Sequence, residues 1–164
     1  MHIDAKVMDK ALERGTGGAP VRRRPKPSER EIKWAQKHVP ISGLRKYLLR
    51  NAFATDHQFC AHNLYSIKQM MEANCDKYFS GAADKSLIIG YAPNGDSIAI
   101  EKPTYKKIGF IGHEDPKKWT FIGVDVSISD FFWNHGTRRD IRVTSMKRSE
   151  SREKLRLFRT RCQA

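Results

Sequence analysis

Between Ser86 and Val124 the chain alternates short apolar runs with turn-forming residues, and this limits what it can fold into more than any other feature. Ser86-Leu-Ile-Ile-Gly-Tyr91, Ser97-Ile-Ala-Ile-Glu101 and Trp119-Thr-Phe-Ile-Gly-Val124 are rich in β-branched and aromatic residues. The stretches between them carry Pro, Asn, Gly and Asp, so the pattern reads as consecutive antiparallel strands at about 87–91, 97–101, 107–112 and 119–124. Ala92-Pro-Asn-Gly-Asp96 joins the first two, because Asn-Gly supplies positive φ and reverses the chain.

Helical signals lie on either side. Val7, Met8, Ala11 and Leu12 have helical spacing within residues 4–14, and Gly15 to Pro20 breaks that helix. Ser28 with Glu31, and Ser66 with Gln69, have the capping-box spacing and predict helices at about 29–38 and 66–74. Ser42 is expected to cap a helix whose inner face carries Leu44, Tyr47 and Leu48, and Ser127 with Asp130 to open one through Phe131, Phe132 and Trp133. Residues 55–63 show no clear period. The fold class expected is α+β: a single antiparallel or mixed sheet with helices packed on one face, flanked by basic tails.

Charge divides the chain. The net +13 comes from +4 over residues 1–34, +2 over 35–134 and +7 over 135–164. A near-neutral middle can pack while like-charged ends stay solvated, which gives a flexible basic arm over 1–27, a domain over 28–135 and an Arg-rich extension over 136–164. The candidate partner- or phosphate-binding residues are Arg22, Arg23, Arg24 and Lys26 in the arm, and Arg138, Arg139, Arg142, Lys147, Arg148, Arg152 and Arg156 in the extension. Arg outnumbers Lys 8 to 2 in the extension, and the guanidinium fork suits phosphate or carboxylate. These residues imply an acidic macromolecular partner, protein or nucleic acid. Three cysteines without paired spacing argue against a disulfide scaffold, and no apolar run reaches membrane-spanning length, so a soluble cytoplasmic protein is expected.

The order of elements resembles the SUKH superfamily. The resemblance runs through a helix ending Ile67-Lys-Gln-Met-Met-Glu-Ala-Asn74, the Ile88-Ile-Gly90 strand, the Gly95-Asp96 hairpin into Ile98-Ala-Ile100, a strand leading to His113-Glu114-Asp115, the Trp119 strand, and Ser127-x-x-Asp130-Phe-Phe132. It covers about residues 64–135 and implies an α+β fold and the role of many members: immunity proteins that bind and neutralise toxins. The chain departs from that family in its strong positive charge.

Catalytic residues are not expected. His113-Glu114-Asp115 is acid/base material in a strand-to-strand turn, without a nucleophile at a telling spacing. His57, Cys60 and His62 are potential zinc donors but lack the paired spacing of a structural site, so neither metal nor cofactor is expected. The aromatics from Tyr91 to Trp133 are expected to be mostly buried.

Overall fold

The computed structural model of the chain describes residues 1–60, 62–75, 80–114 and 121–134. Its helices are α1 (Ala5–Thr16), α2 (Glu29–His38), α3 (Ser42–Asn51), α4 (Ile67–Cys75), α5 (Ser80–Lys85) and α6 (Ile128–Asn134). Its strands are β1 (His57–Phe59), β2 (His62–Leu64), β3 (Ser86–Tyr91), β4 (Ser97–Glu101), β5 (Ile108–Ile111) and β6 (Phe121–Val124). They form one antiparallel sheet in the order β1-β2-β3-β4-β5-β6, each strand beside its sequence neighbour. The fold is therefore α+β on a single sheet, as the strand series predicts.

Strand alternation separates two apolar layers. Leu87, Ile89, Ile98, Ile100, Ile108, Phe110 and Val124 join the large core with residues of α1, α3, α4 and α6. Ile88, Ala99 and Ile111 point the other way and share a smaller cluster with Ala82 of α5. In β3 the register shifts between Ile88 and Gly90, and Asn74 from α4 serves that irregularity. Its side-chain amide accepts from the Ile88 N–H at 3.0 Å and donates to the Ile88 carbonyl at 2.7 Å, as a neighbouring strand would.

Both capping boxes are present. Ser28 Oγ accepts from the Glu31 N–H, while the Glu31 carboxylate accepts from the Ser28 N–H. Ser66 and Gln69 repeat the arrangement ahead of α4. Ser42 does not cap α3: it is the first helical residue, Ile41 takes the cap position, and no side chain bonds there. The β1–β2 hairpin and the short α5 carry no strong pattern in the sequence.

The N-terminal segment differs most from expectation. Instead of a flexible arm, residues 1–27 are integrated into the domain. Asp4 caps α1 by accepting from the N–H groups of Lys6 and Val7, and Gly17 ends it in the left-handed region at φ 59°. Met8, Ala11 and Leu12 enter the large core, with Met8 0% exposed. The helix crosses β1 so closely that a Cβ on Gly15 would sit 2.3 Å from the Gln58 carbonyl oxygen, and the Cys60 N–H donates to the Ala11 carbonyl at 2.9 Å. Arg14 lies over the Trp133 ring, 5.7 Å from its centroid, tying α1 to α6. Beyond α1 the backbone of residues 22–24 runs beside 52–54, with a bridge between Arg23 and Phe53. The physical reason is the apolar stripe of α1, whose burial outweighs the repulsion among a few exposed cations. The extension over 136–164 lies outside the described residues, and among the described residues no helix is long and apolar enough to cross a membrane.

Candidate binding surface

Helix α2 places its charges by simple periodicity. Glu31 and Ala35 are buried one turn apart, so Arg30, Lys33 and Lys37 come out on the opposite, exposed side. Trp34 and His38 form the shoulder between the two sides, their rings stacked at 5.1 Å and 22°. Lys102, from the loop after β4, approaches this end of the helix and donates from Nζ to the Ala83 carbonyl at 2.6 Å. Burial first, then the charges of Lys37 and Lys102, push His38 below the ordinary histidine range. Lys106 and Lys107 follow in the same loop and are exposed. That loop is held by the Glu101 N–H donating to the Lys107 carbonyl and by the Tyr105 N–H donating to the Glu101 carbonyl. Among the described residues, no ion pair or hydrogen bond engages the side chains of Arg30, Lys33 or Lys37.

The basic residues singled out from the sequence have different fates. Arg22, Arg23 and Lys26 are exposed, on a segment whose backbone is fixed rather than free. Arg24 is engaged within the molecule: its two terminal nitrogens donate to the Glu31 oxygens at 2.9 and 2.5 Å. Glu31 is only 4% exposed and also accepts from Ser28. Burial alone would raise its carboxyl, yet the hydrogen bonds from Arg24 and Ser28 and the Arg24 charge hold it at about 2. Arg138, Arg139, Arg142, Lys147, Arg148, Arg152 and Arg156 lie outside the described residues. The spacing of Arg30, Lys33 and Lys37 was readable in the sequence. That Lys102, more than sixty residues on, would join Lys37 around His38 was not.

Among the described residues, the acid/base and metal candidates sit in separate local contacts. His113 Nδ1 lies 3.0 Å from Oδ1 of Asp96, which is 2% exposed and also accepts from the His113 N–H at 3.2 Å. Asp96 thereby fastens the Ala92–Asp96 turn, where Gly95 has φ 88°, to the end of β5. Glu114 is exposed, and Asp115 lies outside the described residues. His57 packs on Phe53 with Nε2 3.2 Å from the Arg22 carbonyl oxygen. Cys60 sits half-buried in the β1–β2 turn at φ 31°, its thiol raised by burial. His62 is 0% exposed and surrounded by Phe110, Phe131 and Phe132. Among the described residues, no three His, Cys, Asp or Glu side chains converge as a metal site would require. Phe110, Phe131 and Phe132 are buried, while Tyr91, Tyr105, Phe121 and Trp133 are half-buried; Trp119 lies outside the described residues.

Clefts among the described residues include two that carry charged side chains of the helices and the N-terminal segment. One, of about 480 Å³, lies where α1 and α3 end and mixes Asp9 and Glu13 with Arg23 and Arg50. Arg50 is already paired there with Asp9 at 3.0 Å. The other, of about 370 Å³, runs between the start of α2 and the outer face of α4. The chemistry this surface supports is recognition of negative charge. Set beside known proteins, the chain matches no family model, no curated protein and no solved structure.

Proposed function

We propose that this protein is a non-catalytic binding module that recognises an acidic macromolecule through the exposed side of α2 and the loop after β4. The observation that carries this reading is the set of unneutralised cations Arg30, Lys33 and Lys37 along one side of α2, with Lys102 joining Lys37 around His38 at the end of the helix. Like charges held together on ordered elements repel one another, and an acidic surface removes that repulsion on contact. The resemblance to the SUKH superfamily makes a protein the first partner to test, and within proteins a toxin that this chain would neutralise. A second reading, attachment to nucleic acid or a ribonucleoprotein, is favoured by the 8 arginines among the 10 basic residues of 135–164.

The test replaces Lys33 and Lys37 by Glu. Both are exposed, so stability should change by less than about 0.5 kcal/mol for each. Binding to an acidic protein should become undetectable, whereas the parent chain saturates at a fixed stoichiometry that unrelated nucleic acid does not compete away. A double variant that binds as tightly as the parent rejects the α2 surface. Retention on duplex DNA that falls with salt at about 0.9 log units per phosphate contact selects the second reading.

A further inference from the structure

The groove between α2 and α4 has a composition that the flat basic side of α2 lacks. Its walls are Arg24, Arg30 and Glu31 on one side and Lys68, Met71 and Glu72 on the other. The three α4 residues are spaced i, i+3 and i+4 and share one side of the helix, with the exposed Lys68 and Glu72 outermost and Met71 at its inner edge, one turn from the buried Ile67 and packed in part against the core. Charge within the walls is not balanced. Glu31 is consumed by Arg24 and Ser28, which leaves two cations, Arg30 and Lys68, against the single carboxylate of Glu72. Half-buried Met71 supplies an unbranched, polarisable thioether that adapts to the shape of an incoming apolar group.

We infer that this groove docks an acidic peptide segment of the partner, seating one apolar side chain against Met71 while neighbouring carboxylates meet Arg30 and Lys68. The inference rests on the binding-module reading and narrows it, because Arg30 belongs both to the groove and to the basic side of α2. The composition favours protein over nucleic acid. Met and Arg are enriched at protein interfaces, and binding of single-stranded nucleic acid needs rings to stack bases, of which the groove has none. At about 370 Å³ the groove is at the small end of ligand sites, room for one anchoring side chain and its flanks.

The experiment uses the full chain with two short fluorescein-labelled peptides of Asp and Glu, one with a central leucine and one with serine in its place. Binding is read by fluorescence anisotropy, and its location by ¹³C-methyl methionine spectra. The leucine peptide should bind about tenfold more tightly, since burying one such side chain is worth at least that factor. The Met71 methyl signal should shift while those of the buried Met8 and Met70 stay in place. Met71→Gln should abolish the preference for leucine and leave the serine peptide unaffected; Lys68→Glu, on the exposed rim, should weaken both. Equal affinity for the two peptides, or an unmoved Met71 signal, overturns the groove and leaves the charge-based reading standing. If neither peptide binds but a uridine oligonucleotide does, the acidic-peptide inference falls and the nucleic-acid reading replaces it. If no probe binds, both the groove and the binding surface are rejected.

Discussion

Glu31 shows how one buried carboxylate can organise a segment that sequence composition marks as a loose arm. It closes the capping box of α2 and holds Arg24 bidentately, anchoring the backbone that precedes the helix. Because its folded pKa is lowered, the contribution to stability is fully present above the ordinary value of 4.5 and is lost as pH falls toward about 2. That shift corresponds to about 3 kcal/mol, reduced to about 2 because Arg24 is one-third exposed. Glu31→Gln is therefore expected to cost about 2 kcal/mol at neutral pH and to flatten the acid limb of urea-denaturation stability between pH 4.5 and 2. An unchanged acid limb would mean that the pair contributes nothing.

Elements differ in how openly the sequence declares them. The boundaries of β4 and the two capping boxes were legible because their determinants are local: alternation in one case, a side chain three residues away in the other. The β1–β2 hairpin was hidden because its strands have three residues each and carry His, Gln and Asn. In α1 the apolar stripe was readable but its destination was not, since Ala11 and Gly15 meet a hairpin more than forty residues away. Leu12→Ala is expected to cost about 2–5 kcal/mol in a single global unfolding transition. A loss under about 0.5 kcal/mol would restore the picture of an independent arm. For α2 the cations were legible singly, but the approach of Lys102 to Lys37 and His38 at the helix end was not. An acidic partner there should raise the depressed pKa of His38, so binding takes up a proton and strengthens as pH falls through the histidine range. Calorimetry in buffers of different ionisation enthalpy measures that uptake, and a value of zero would place the partner elsewhere.

Over the whole molecule, contacts close in two different ways. Every strand pairs with its neighbour in sequence, so the sheet can grow strand by strand as the chain is synthesised. The two ends of the described fold meet only across its full length. The Ile128 N–H donates to the His2 carbonyl at 2.9 Å, and the Asp4 N–H donates to Ser129 Oγ at 2.6 Å across 125 residues. Helix α1 precedes the other described elements in the chain, yet its α6 contacts wait for the last of them. Until residues 128–134 arrive, Met8 and Leu12 have no Phe131 and Phe132 to complete the layer around them. A nascent chain stalled before α6 thus presents a finished meander and a sticky amphipathic helix at the same time, the state on which chaperones and proteases act.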